Sequence, residues 1–305
     1  LMEESTSNKF LKFLGTSDSL FLGNYLYKST TTVWQASNNN YKFDFEDEPV
    51  VTFPALTLYC YANNDSAVIY NTSGKYYPLS KKWIGDKGKV DWSRAGFKPE
   101  DVYAEFGYYT LDLKSRRFEG DSVNFDNREY FGDMALLGHL EEKVLANRTG
   151  DKALYPEFNS YDKRHEIKNI YKDVDFEGGF RMKGPKLIGY GDEIYDAILT
   201  FYKDGAPFLI SRSKSFAIRK DRVNSERASV SILFEGDSIF HPGLTMKYLD
   251  SLRELSFVRL NEGLAQSPFF NSYHRIEMFF EALYWQMDEP KMDFSMIRGP
   301  GSSSE

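Results

Sequence analysis

A chain of 305 residues, 41% hydrophobic and 27% charged, has the composition of a folded protein rather than a disordered one. Its formal net charge of −7 argues against a nucleic-acid role, because phosphate backbones ask for basic surface. The single cysteine, Cys60, excludes an internal disulfide and a zinc site built on thiolates, and no run of about 18 apolar residues is present to span a membrane as a helix.

In chain order, residues 8–28 are expected to be helical, since Phe10, Leu11, Phe13 and Leu14, then Leu20, Phe21, Tyr25 and Leu26, recur at three-to-four spacing. A Ser-, Thr- and Asn-rich connector follows to Asn40, so that 1–40 reads as a helical lead-in and 41–305 as a β-rich repeat region. From Tyr41 the pattern changes to period two, with Tyr41, Phe43 and Phe45 alternating with Lys42, Asp44 and Glu46. Val50–Tyr61 continues it, Asn63-Asn64-Asp65 makes a turn, and Asn71–Gly74 makes another. Short alternating runs then recur to Arg259. Residues 131–145 fit helix and strand alike. His274–Met287 tips towards a β-hairpin, because Asp288-Glu289-Pro290 and an alternating Met292, Phe294, Met296 follow it. Aromatics make up 16% of the chain and favour strands, where rings pack on a pleated surface.

The triplet Phe-Glu-Gly recurs at Phe118–Gly120, Phe176–Gly178 and Phe234–Gly236, 58 residues apart each time. A fixed period suggests one unit laid down several times. The expectation is a mainly β fold: a β-solenoid or a stacked antiparallel β-sheet repeat array after a short α-helical N-terminal segment. Each triplet glycine is expected in a turn and each triplet phenylalanine facing inward.

No residue is nominated as catalytic, cofactor-binding or metal-ligating. His139, His165, His241 and His274 show no metal-ligand spacing. Asp237-Ser238 with His241 groups a carboxylate, a hydroxyl and an imidazole, but without a nucleophile elbow, and Ser238 and His241 are expected not to pair. Asp-Ser recurs at Asp65, Asp121 and Asp250, which points to turn chemistry. The acidic runs Asp44–Glu48, Glu141/Glu142 and Asp173/Asp175 keep a glycosidase formally open, since that chemistry needs two facing carboxylates. Asp44–Glu48 lacks the glycine and bidentate spacing of a calcium loop, and Gly189-Tyr190-Gly191 lacks a nucleotide-site setting. Asn71-Thr72-Ser73 and Asn147-Arg148-Thr149 match the glycosylation acceptor. Arg212–Arg222 is the nearest approach to a basic cluster and reads as the wet face of a strand. Cys60 is expected to be buried and inert, with Tyr59 and Tyr61 pointing the other way.

The strings NNDSAVIYNTSGKYYP (63–78), WIGDKGKVDWSRAG (83–96), DVDFEGGFRMKG (173–184) and SPFFNSYHRIEMFFEALYWQMDEP (267–290) together resemble a group of very long Bacteroidota proteins. The resemblance covers nearly the whole chain and continues past its C-terminus. It implies an exported or envelope-associated protein, in the periplasm, the outer membrane or at the cell surface. It implies no activity, cofactor or catalytic residue. On this reading the chain is a non-enzymatic structural or scaffold segment of a cell-envelope protein, with other envelope components as partners. The rivals are a glycan- or lipid-binding module, using Trp34, Trp83, Trp92, Tyr76 or Tyr77 as stacking rings, and a carbohydrate-active enzyme on a β-helix.

Overall fold

The structure is a computed structural model that describes residues 24–38, 40–145, 149–259 and 266–296, together with the backbone of 2–4 and 11–13. The fold is mainly β, a stacked array of antiparallel strands with very little helix. It divides into two units, one of Leu1–Asn159 with Lys183–Pro185, the other of Ser160–Met182 with Lys186–Glu305.

The helical lead-in expected over 8–28 is strand at Leu11–Phe13 and Tyr25–Lys28, with Asn24 at a bend just before the latter; its other residues lie outside the description. The physical reason is visible in Tyr25–Lys28. Leu26 is buried while Tyr25 is exposed, and the segment finds a partner in Val33–Ala36. Aromatic side chains flanking one leucine suit a pleated surface, and tertiary pairing overrides a weak helical spacing.

In the first unit, Pro49–Ala62 forms a hairpin with Asp65–Tyr77 through Asn63 and Asn64, both at positive φ (52° and 61°). Two successive left-handed residues match the right-handed twist of the strands they join. Lys82–Asp91 pairs on along Asp65–Tyr77. The two outer long strands each serve two short ones as well. Pro49–Ala62 pairs with Val33–Ala36 through one half and Lys42–Phe45 through the other. Lys82–Asp91 does the same with Val102–Phe106 and Tyr109–Asp112.

Register slips mark the changeover: between Phe53 and Leu58, between Tyr70 and Gly74, and between Gly120 and Val123. Asn71 (φ 52°) and Ser122 (φ 56°) supply left-handed residues there. The Asn71–Gly74 turn is therefore a bulge inside the continuous strand Asp65–Tyr77.

The second unit repeats the plan. Arg222–Phe234 and Asp237–Leu249 pair along their length, with slips between Ser225 and Val230. Arg222–Phe234 takes Ala206–Ser213 on one half and Ser215–Arg219 on the other, and Asp237–Leu249 takes Glu254–Val258 and Phe269–Asn271. Ala282–Gln286 and Met292–Ser295 form the hairpin expected behind His274. The ambiguous stretch 131–145 resolves into the strand Leu136–Lys143 after one helical turn, Arg128–Phe131. Gly138 there leaves room for the Phe158 ring, which a Cβ would meet at 2.6 Å.

The Phe-Glu-Gly copies do not occupy equivalent places. Phe118 and Phe176 are buried within strands, with Gly120 and Gly178 in the same strands. Phe234 is only partly buried and ends a strand, and Gly236 (φ 90°) sits in the turn after it. What repeats is the long strand forked between two short ones, and the triplet is not its marker.

Candidate functional site

The densest buried chemistry lies in the first unit. A 3-10 turn, Ser93–Ala95, follows the strand Lys82–Asp91; Asp91 Oδ1 accepts the Ser93 N–H at 2.9 Å, and Gly96 closes the turn at φ 91°. The turn carries Arg94 inward. Its Nη1 donates to Glu142 Oε1 at 2.6 Å, and its Nη2 to Asp65 Oδ2 at 3.1 Å and to the Lys143 carbonyl at 3.3 Å. Asp65 opens its strand just after the Asn-Asn turn, and Glu142 faces inward near the end of Leu136–Lys143.

One guanidinium thus serves two carboxylates. Glu142 is 2% exposed, and burial pushes its pKa up to about 7 against the pull of Arg94 and the Lys143 N–H. Cys60 is also buried; burial first, and then the Glu142 charge, pushes its thiol up to about 12. A thiol held there is neither a nucleophile nor a metal ligand at neutral pH. Tyr59 and Tyr61 do point away from it, stacked on each other at 6.0 Å. The arrangement buries ions in mutual contact, with one guanidinium answering both carboxylates.

His241, fully buried in the second unit, has both ring nitrogens engaged. Nε2 donates to the Ser267 carbonyl at 2.8 Å, and Nδ1 accepts the Gly243 N–H at 3.1 Å. That pattern fixes the neutral tautomer, and burial brings its pKa down to about 4. Ser238 instead exchanges bonds with Ser272 through its backbone, and Asp237 accepts the Ser272 hydroxyl at 2.8 Å. The triad-like string is therefore taken apart by other partners.

Most of the other polar residues weighed from the sequence are likewise engaged. In the acidic run, Glu46 meets Lys75 at 2.5 Å and Tyr77 at 3.2 Å, and Glu48 accepts the Ser80 N–H. Glu141 pairs with Arg117, Asp173 with Arg253, and Asp175 with Lys168. Asp65 accepts the next residue's N–H, as turn chemistry requires, whereas Asp121 pairs with His139 and Asp250 accepts the Tyr248 hydroxyl. Gly189 is a packing glycine, because a Cβ there would meet the Phe176 ring at 2.5 Å. In the first acceptor motif, Thr72 is fully buried and shares a 2.7 Å hydrogen bond with Tyr109. Asn147 lies outside the described residues. Among the described residues, no group of three or more His, Cys, Asp or Glu stands ready to hold a metal ion.

Trp34, Trp83, Trp92 and Tyr76 form no exposed platform; all four are buried. Trp34 donates to the Ser115 carbonyl at 2.9 Å and meets Phe118 edge-on, Trp83 donates to the Tyr109 hydroxyl at 3.0 Å, and Tyr76 bonds the Leu26 carbonyl.

Reasoning from sequence did not find the Arg94 cluster. Its members lie 29 and 48 residues apart, and no local pattern joins them. The one signal on offer was an arginine two residues after Trp92, at the end of an alternating strand, with glycine two residues further on. No family model, curated protein or solved structure matches the chain.

Proposed function

We propose that the chain is a non-catalytic structural segment of an exported, cell-envelope protein of the Bacteroidota type. One observation carries the structural part. The side chains best suited to chemistry, Cys60, Glu142 and His241, are all sealed in the core, and the latter two are tied to other protein groups. The location rests on the resemblance alone. The test is to tag the protein in a Bacteroidota cell that encodes it and fractionate the cells: the reading expects it with the periplasm or membranes, and recovery from the cytoplasm contradicts it.

A second reading, a glycan-binding module, is favoured by a different set of rings. Tyr25 stands opposite Gln35 and Gln35 opposite Tyr59, and Tyr61 stacks beside Tyr59, so one outer sheet face carries three tyrosines in a row. Two of them, Tyr25 and Tyr61, are exposed. If this face holds a neutral glycan, replacing Tyr59 and Tyr61 by alanine will abolish retardation of the protein in a glycan-containing gel.

A further inference from the structure

The second unit carries a groove of about 1080 Å³ on the outer face of its sheet. Its origin is the fork in the strand Arg222–Phe234. Ala206–Ser213 and Ser215–Arg219 pair with different halves of that strand, and between them the register slips at Ser225–Ala228. Ser213 pins the fork from below, with its Oγ at 2.8 Å from Ser225 Oγ and donating to the Arg227 carbonyl at 2.7 Å. Outward-pointing residues of the flanking strands line the opening.

Four of those residues are cations: Lys214, Arg222, Arg227 and Lys247; the one acid is Glu226. Lys214 meets Asp196 at 3.1 Å and Arg222 meets its neighbour Asp221 at 3.8 Å, while Arg227 and Lys247 have no ion pair among the described residues. Register also sets Arg219 directly opposite Arg222. Like charges placed opposite each other across a ladder are unfavourable, and among the described residues only Asp221, at 3.8 Å from Arg222, answers this pair. This concentration of positive charge stands in a chain whose net charge is −7.

The second observation is Asn224. Cross-strand pairing places it in one row between Ala217 and Lys247, in the groove wall. Its Oδ1 is shut off from solvent and accepts no hydrogen bond among the described residues. That oxygen is closed to a ligand as it is to water. Asn224 as a whole is part-exposed, however, and its Nδ2 has no acceptor among the described residues, so the amide N–H is left to donate to a ligand that brings hydroxyl groups as well as negative charge. No aromatic ring lines the groove, so bases would find nothing to stack on, and single-stranded nucleic acid is the poorer fit. A flat bilayer would reach the cationic tips and leave Asn224 unused.

We infer that this groove binds an acidic polysaccharide, its carboxylates on Arg222, Arg227 and Lys247 and its hydroxyls on Asn224. Arginine forks match carboxylates in two-point contact, and sugar hydroxyls accept from an amide N–H. The inference stands on the second unit alone and does not depend on cellular location, so its failure leaves the structural reading untouched.

The test is calorimetric titration of the whole chain with polygalacturonate, with neutral dextran and single-stranded DNA of matched charge as comparisons. The expected result is saturable binding to polygalacturonate that weakens with salt, no binding to dextran, and weaker binding to DNA. Replacing Arg227 and Lys247 together by alanine should lower the affinity at least tenfold. Both side chains are exposed, so thermal unfolding should not move. Asn224→Leu should weaken polygalacturonate binding while leaving any DNA binding as it was. No saturable binding, an affinity indifferent to the double replacement, or equal binding to DNA would each overturn the inference.

Discussion

The two units share a strand plan and differ in what they bury. Besides neutral groups such as Thr72 and Asn127, the first seals in formal charge: Arg94 between Asp65 and Glu142, with side chains 14%, 8% and 2% exposed. The second seals in neutral polar groups: Ser211, Ser213, Ser225, Asn271 and a His241 held in its uncharged form. Buried ions in contact gain little over an apolar core while paired, and cost heavily when one partner is lost. Hydroxyls and a neutral imidazole carry smaller desolvation costs and spread them over several weak bonds. The same architecture is thus closed in one place by a brittle device and in the other by a tolerant one.

The largest expected effect breaks the brittle device. Arg94→Met leaves Asp65 and Glu142 buried with no counter-charge, and should destabilise the first unit by about 3–5 kcal/mol in chemical denaturation. A loss below about 1 kcal/mol would mean that water reaches the carboxylates.

The contrast is sharpened by pH, because the two units respond with opposite signs. Glu142 has its folded pKa raised to about 7, so between its unfolded value near 4.5 and about 7 the folded state holds more protons than the unfolded one. Its contribution to stability therefore falls as pH rises through that window. His241 has its folded pKa lowered to about 4 from 6.5, so the unfolded state holds more protons there, and its contribution is lost as pH falls from about 6.5 towards 4. Each term is at most about 3 kcal/mol, and they oppose each other in the intact chain. Glu142→Gln should leave stability rising with pH across this range, and His241→Gln should leave it falling. Identical slopes in the two variants, read from unfolding midpoints at each pH, would contradict the assignment.

The smallest effect belongs to the tolerant device. Ser213→Ala removes the hydroxyl that joins Ser225 Oγ and the carbonyls of Ser215 and Arg227. It should cost roughly 1–3 kcal/mol, less than Arg94→Met in the same assay. A cost equal to that of Arg94→Met would remove the distinction between the units.

Much of the strand structure was legible because alternation is a local property. Tyr59, Cys60 and Tyr61 announce which side faces in, and Asn63-Asn64 announces a hairpin. Other signals are local but ambiguous. A left-handed residue ends a strand in one setting and makes a bulge within it in another. Gly120 is followed by a bulge at Ser122, while Gly236 lies in a true turn, although both belong to the same FEGDS string. The choice is made by which strand lies alongside, and the string does not carry that information. Site residues were least legible for the same reason. The Arg94 cluster is assembled by register between distant segments. The cationic groove was half visible as the run Arg212–Arg222 but is completed by Arg227 and Lys247 through strand pairing. The tryptophans that looked available for stacking are consumed by the core. Gly85 shows how: a Cβ there would strike the Tyr109 ring at 2.1 Å, so the glycine exists to let a tyrosine lie over it.

The central claim, that reactive groups here are sealed into the fold, meets its most direct test at Cys60. As the sole thiol of the chain it gives one unambiguous signal. Its neighbours in register are Trp34 and Ala67, both buried, and its thiol pKa lies up to about 12. Labelling with a thiol reagent under native conditions should therefore proceed only through unfolding of the first unit, at a rate that rises with denaturant as steeply as that unfolding does. Rapid labelling in the absence of denaturant, at a rate set by reagent concentration alone, would show an open and reactive site and contradict the account.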